Sequence, residues 1–225
     1  MRSGTIIQRY KRVFSHGTVI SFGIFIFAFL LFLFYALQII SGNDSNFDQV
    51  ILQYLDRLES DGHTRIARIF TFFGTGTFLI PVYLFIAICC ARTKRVIIGI
   101  MILELALGSA VFGAIMKEIF KRPRPLLKYM DSAGGFSFPS GHSLGAFTLC
   151  GILVLILWES NCPKFVKWIL FLVTFLFSIL VGLSRVYLHV HYASDVIGSF
   201  CVSVLWFALY CFYVQLIDGA GKSES

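Results

Sequence analysis

Residues 96–125 read VIIGIMILELALGSAVFGAIMKEIFKRPRP. The first part, 96–116, is apolar apart from Glu104 and is long enough for a bilayer, which takes about 20 largely apolar residues. It stops abruptly at Lys117, and Lys121, Arg122, Pro123, Arg124 and Pro125 follow. An oily span ending in a proline-stiffened basic loop sets the pattern for the whole chain. The same alternation of span and short polar cluster recurs at 19–40, 69–91, 143–158, 168–184 and 196–217. The fold class expected is therefore all-α, a six-span transmembrane helix bundle formed as a single domain over residues 1–225.

Composition agrees. The 225 residues are 57% apolar and 14% charged, with 25 Phe, whereas a soluble domain carries about 25% charged residues. The net charge of +7 flanks apolar spans, so it suits anionic membrane lipids. No basic stripe interleaved with aromatics points to nucleic acid. Cys89, Cys90, Cys150, Cys201 and Cys211 lie in apolar runs and Cys162 in a short loop. Without a Cys-x-x-Cys pair they offer no metal site. The run after Arg9, Lys11 and Arg12 is too long for a signal peptide and reads as an uncleaved first span. Between spans one and two, Phe47, Val50, Ile51, Tyr54, Leu55 and Leu58 recur at helical spacing with Asp48, Asp56, Glu59 and Asp61 nearby. This predicts a short amphipathic surface helix covering the top of the bundle. The tail from Gly219 to Ser225 is expected to be disordered.

Two further clusters carry chemistry: Pro139-Ser140-Gly141-His142, which opens span four, and the stretch from Ser184-Arg185 through His191 to Asp195, between spans five and six. Because spans alternate direction, both clusters and the basic loop after span three share one face, opposite the N-terminus. Arg2, Arg9, Lys11, Arg12, Arg92, Lys94, Arg95, Lys164, Lys167 and Lys222 lie on the N-terminal side. Outside the clusters and their flanks, the other side keeps only Arg57, Arg65 and Arg68. The positive-inside rule then places both termini in the cytoplasm and the clusters on the outer face.

Arginine forks and lysine point charges suit phosphate oxygens, which makes Lys117, Arg124 and Arg185 the candidate phosphate ligands. Lys121, Arg122 and Lys128 read as an interfacial loop reaching toward lipid headgroups. A helix N-terminus favours an anion, and Gly141 allows close backbone approach. His142 is placed to move a proton, and Ser140 or a neighbour caps the helix. His191 and Asp195, four apart, share a face on a helical turn, so the carboxylate can orient one ring nitrogen and free the other to attack. Ser194 reads as the cap of span six. His189, six residues before Asp195, competes less well for the nucleophile's place. Glu104 leaves open an anion-transporting or lipid-binding role, with Ser109 or another neighbour as its bonding partner.

Taken together, the motifs resemble the type-2 phosphatidic acid phosphatase superfamily. Lys117 with Arg124-Pro125, Pro139 to His142, and Ser184-Arg185 with His191 and Asp195 match its three signature blocks. The resemblance implies a metal-independent, cofactor-free hydrolase in which His191 is the nucleophile, His142 the general acid and base, and Asp195 the orienting group. Lys117, Arg124, Ser140, Gly141 and Arg185 would bind the phosphoryl oxygens. It also implies a phospholipid or isoprenoid diphosphate substrate, such as phosphatidate, phosphatidylglycerophosphate or undecaprenyl diphosphate. A phosphotransferase using a second lipid as acceptor is the neighbouring possibility. The short connection between Pro125 and Pro139 leaves little room for an outer lid, which suits a broad headgroup site.

Overall fold

The computed structural model describes residues 18–42, 46–126, 128–129 and 134–223. The N-terminal cations Arg2, Arg9, Lys11 and Arg12 used above lie outside them. Eight α-helices are present among the described residues, with no strand. They are α1 Thr18–Ile40, α2 Asn46–Arg57, α3 Asp61–Phe72, α4 Gly76–Arg92, α5 Val96–Phe120, α6 Gly141–Glu159, α7 Lys164–Tyr187 and α8 Ala193–Ser223.

Five of these helices are long and apolar enough to cross a membrane, and α3 with α4, bent by 40° at their junction, pass the same test only as a pair, making six candidate spans if the pair counts as one. The inner helix is α6, which packs on α5, α7 and α8, while α4 lies on α5, α1 on α8 and α3 on α7. A bilayer core offers no water to the backbone, so helices that bond internally are the natural spanning unit. Side chains such as Phe22, Phe85, Leu107 and Phe165 are exposed on the outside of the bundle, where lipid rather than water would meet them.

The second span departs from the uninterrupted 69–91 helix expected from hydropathy. It breaks at residues 73–75, and the chain before the break is the separate helix α3. Gly74 explains the break. A Cβ placed there would lie 2.7 Å from His142 Cβ and 3.1 Å from His142 Cα, so the chain approaches the start of α6 as only glycine allows. Thr75 then starts α4 with extended angles, and its Oγ1 donates to the carbonyl of Phe72 at 2.6 Å. Further bounds differ. Helix α5 runs one turn past Met116, which brings Lys117 into its last turn. Helix α7 extends at both ends of the short span read from sequence. Helix α8 begins before Val196 and continues to Ser223, through residues expected to be disordered.

The amphipathic helix expected after span one is α2. Its stripe divides in two. Leu52 is buried, with Ile51 and Leu55 packed beside it, whereas Phe47, Val50, Tyr54 and Leu58 stay exposed. Asp48 lies on the inward side and is buried.

Gly74→Ala is expected to lower the thermal unfolding midpoint of detergent-solubilised protein, because overpacking typically costs about 1–3 kcal/mol. Gly62→Ala is the control, since its methyl would meet only Ser60 Oγ at 3.9 Å. An unchanged midpoint for Gly74→Ala would show that the α3–α4 break does not rest on His142.

Candidate active site

Helix ends supply most of the site. Lys117 lies in the last turn of α5 and Arg185 in the last turn of α7. His142 is the second residue of α6, and Asp195 lies in the first turn of α8. Helix α5 ends at Lys121, whose left-handed backbone (φ 46°) lets its N–H bond the carbonyl of Lys117 at 2.9 Å. The prolines that follow keep residues 121–126 out of helix. This segment returns across the bundle end, where the Arg122 carbonyl accepts from the Ser137 N–H at 2.8 Å.

His191 lies in the connection between α7 and α8 and is only 2% exposed. Its Nδ1 is 3.4 Å from Asp195 Oδ2 and 3.4 Å from Ser137 Oγ, and its Nε2 is 3.2 Å from Arg124 Nη1. Arginine only donates hydrogen bonds. Nε2 must therefore be the acceptor, and the ring proton sits on Nδ1, facing Asp195. Burial pushes the pKa of His191 down to about 4, against the opposing pull of Asp195. A neutral ring with its lone pair on Nε2 is the consequence at ordinary pH.

Asp195 is wholly buried. Its Oδ2 accepts from the Tyr192 N–H at 2.8 Å, and from the hydroxyl of Ser137 through a short bond. The contact with Tyr192 is the reach-back of an N3 acid to the residue before the helix. The cap of α8 is thus Asp195 together with Asp48, not Ser194 as expected from sequence. Ser194 instead donates its N–H to Asp48 Oδ1 at 2.8 Å and its hydroxyl to Asp48 Oδ2 at 2.5 Å.

The cations converge from three directions. Arg124 donates through Nε to Gly135 O at 3.1 Å, through Nη2 to Gly134 O at 2.8 Å and through Nη1 to Val190 O at 2.7 Å. Lys117 Nζ donates to Phe136 O at 2.6 Å. Arg185 donates through Nη1 to Thr71 Oγ1 at 2.5 Å, while its buried Nε has no partner among the described residues. Arg185, His191, Arg124 and Lys117 all lie within electrostatic reach of His142. The three sequence clusters therefore meet at one end of the bundle. Gly141 faces open space, with nothing within 4 Å of a Cβ placed there. Ser140 differs: it is fully buried, and its hydroxyl accepts from the Ser143 hydroxyl at 2.9 Å and from the Ser143 N–H at 3.4 Å, so it caps α6.

Arg122 corrects the sequence reading most clearly. It does not reach toward headgroups. It is 7% exposed and bridges two acids, Nη1 to Asp195 Oδ1 at 2.6 Å and Nη2 to Asp48 Oδ2 at 2.8 Å. Burial opposes its charge, but Asp195 and Asp48 outweigh that and raise its pKa. Lys128 pairs with Asp56 at 2.9 Å and Glu59 at 2.7 Å, holding both acids below their usual range. His189 stands apart from Asp195, with Nε2 3.2 Å from Asp56. No local signal separates Arg122 from Arg124, since both are arginines flanked by proline.

Below the cations lies an apolar groove of about 670 Å³ between α4, α5 and α6. Lys117, Gly141 and His142 close its polar end, and Ile80, Leu84, Leu103 and Leu107, all exposed, line its lipid-facing length. Glu104 accepts from the Tyr210 hydroxyl at 2.5 Å, while Ser109 pairs with Thr148 at 2.7 Å. Ser109 is therefore not the partner of Glu104. Among the described residues no three His, Cys, Asp or Glu side chains gather to hold a metal ion, and all six cysteines are free thiols.

Comparison with known proteins gives the same family from sequence and from structure. Phosphatidylglycerophosphatase B of Bacillus subtilis is 27% identical over 183 residues, 80% of this chain and 90% of its own length. Dolichyldiphosphatase of Saccharomyces cerevisiae is 33% identical over 123 residues, 51% of each chain. The solved transmembrane PAP2 type phosphatidylglycerolphosphate phosphatase from Bacillus subtilis superposes with a TM-score of 0.73 at 26% identity, covering 84% of this chain and 96% of that one. LpxE of Aquifex aeolicus shares the fold, with a TM-score of 0.54 at 24% identity over 74% of this chain and 96% of that one. The profile of the PAP2 superfamily matches residues 96–217, more than half of the sequence and all three polar clusters, and the chain belongs to that superfamily.

Proposed function

We propose that this membrane phosphatase hydrolyses the phosphate or diphosphate headgroup of a lipid through a phosphohistidine on His191. The observation that carries the reading is the placing of His191 between Asp195 and Arg124, from which its tautomer follows. Its Nδ1 proton is directed at Asp195 and its Nε2 lone pair at the cationic pocket. In the first step Nε2 attacks phosphorus in line, the P–N bond forms as the P–O bond breaks, and His142 gives its proton to the departing oxygen. In the second step His142 takes a proton from water, whose oxygen attacks phosphorus. The P–N bond then breaks, and free phosphate and His191 are released. Lys117, Arg124, Arg185 and the Gly141 backbone hold the equatorial oxygens, where negative charge must be stabilised. Ser140 contributes by capping α6 and so setting the direction of its free N–H groups.

A lipid fits because the groove begins at His142 and runs down apolar walls. Phosphatidylglycerophosphate, phosphatidate and undecaprenyl diphosphate are the substrates to compare. The whole chain works as one domain, with both termini in the cytoplasm and the site on the outer face. Turnover of a membrane-impermeant substrate by intact cells tests that placement.

His191→Ala is expected to abolish phosphate release from all three lipids. Asp195→Asn should lower it by roughly a hundredfold or more while the protein stays folded, as expected for a group that orients the attacking base. Substantial turnover by purified His191→Ala would sink the nucleophile assignment. Wild-type activity is expected to persist in excess chelator and to be blocked by vanadate, and a strict magnesium requirement would contradict the mechanism.

His191 also predicts a pH dependence. Its folded pKa of about 4 lies below the ordinary 6.5, so the unfolded chain binds more protons between those values. The associated stability is full above about pH 6.5 and is lost as pH falls through 4, by an amount on the order of 3 kcal/mol. Thermal unfolding of wild type and His191→Ala across that window measures it. The acid-induced drop should shrink in the mutant, and equal drops would contradict a buried neutral imidazole.

A further inference from the structure

We propose that Asp48 is a positioning residue of the phosphatase, acting through Arg122 to hold the Asp195 carboxylate and, with it, the His191 ring. The proposal rests on the reading of His191 as nucleophile. Asp48 belongs to α2, outside the membrane spans, yet it is 1% exposed. The other acid of that helix, Asp56, pairs at the surface with Lys128.

The contacts form a closed circuit. Arg122 Nη2 donates to Asp48 Oδ2 at 2.8 Å, and Nη1 donates to Asp195 Oδ1 at 2.6 Å and to Ser194 Oγ at 2.7 Å. The guanidinium lies over the Tyr192 ring, 4.1 Å from its centroid. The two carboxylates thus share one planar fork, whose nitrogens cannot move independently. On Asp195 the labour is divided. Arg122 holds Oδ1, while Oδ2 receives Tyr192 N–H, Ser137 and His191 Nδ1. Tilting the fork turns the carboxylate about its Cβ–Cγ bond and carries Oδ2 away from His191, where the contact is already 3.4 Å.

Asparagine at position 48 cannot reproduce this. Asp48 uses both oxygens as acceptors, one for the Ser194 N–H and one shared by Ser194 Oγ and Arg122 Nη2. An amide has one acceptor oxygen and would set its NH2 against another donor. Misplacement of a reacting group by about 1 Å can lower turnover on the order of a hundredfold.

The test is a kinetic cycle on full-length protein in detergent, with short-chain phosphatidate as substrate. Asp48→Asn should lower kcat by about ten- to a hundredfold and leave KM within about twofold. Asp48→Glu should recover part of the loss. In the Asp195→Asn background, Asp48→Asn should slow turnover by no more than about twofold, because its effect passes through Asp195. Unchanged kcat, an effect confined to KM, or the full loss repeated in the Asp195→Asn background would each overturn the proposal. If Asp48→Asn does not fold, Arg122→Lys keeps the charge, loses the fork and carries the same cycle. His191→Ala runs beside them. If it turns over, the nucleophile reading fails. If it is inactive while Asp48→Asn is not impaired, only the present inference fails.

Discussion

One end of this bundle is organised around one buried negative charge. Asp195 is shut off from water, and an isolated carboxylate there would be prohibitively unfavourable. It persists because donors arrive from separate stretches of chain. Arg122 comes from the segment after α5, Ser137 from the segment before α6, and His191 and the Tyr192 N–H from the connection before α8. Each donor ties its own segment to the same point. Removing one partner of a buried ion pair typically costs about 3–5 kcal/mol. The network therefore fixes backbone positions that apolar packing alone would leave loose. The His191 ring inherits its orientation from this arrangement.

The cations around His191 are satisfied differently. Among the described residues Lys117, Arg124 and Arg185 form no ion pair. Their donors go to the carbonyls of Phe136, Ser137, Gly134, Gly135 and Val190, to the hydroxyl of Thr71 and, from Arg124, to His191 Nε2. A carbonyl or hydroxyl brings these cations no opposite charge, whereas a phosphate adds charge–charge attraction and a bidentate fit to the arginine forks. A phosphate group would outcompete such partners, whereas it could not displace Asp195 or Asp48 from Arg122. Two arginines separated by a single proline thus divide the work. Arg122 is committed to structure by two carboxylates, and Arg124 is held by exchangeable carbonyls.

That division shows where sequence reading stops. The spans and clusters were legible because each depends on local pattern: apolar length, turn-forming proline and glycine, and histidine at a helix start. Span parity was enough to bring Lys117, His142 and His191 to one face. Arg122 was not legible, because its role is set by Asp48, far away in the chain, and the surface-helix pattern around Asp48 gives no hint that one acid points inward. The break at Gly74 was hidden for a similar reason. Phe70, Phe72, Phe73 and Phe78 sustain an apolar pattern across the break, and only the tertiary approach to His142 shows why the helix stops. Ser140 sits between these cases. Its position was legible, but the cap it makes with Ser143 leaves its hydroxyl buried, so its influence on the site passes through the direction of α6.

Helix α6 joins the two halves of the proposed chemistry. Its first turn presents Gly141 and His142 to the cations, and Leu144, Gly145 and Thr148 on the same helix line the groove. A rotation of α6 would move His142, the proposed general acid, and the groove wall together. Two contacts near its start resist such a rotation. Gly74 presses on His142 from the α3–α4 break, and Ser199 of α8 donates to the Ser140 carbonyl at 2.9 Å. On the proposed reading, registration between headgroup and tail is therefore a property of one helix held at its N-terminus. A lipid seated along α6 would bring its phosphate to His142.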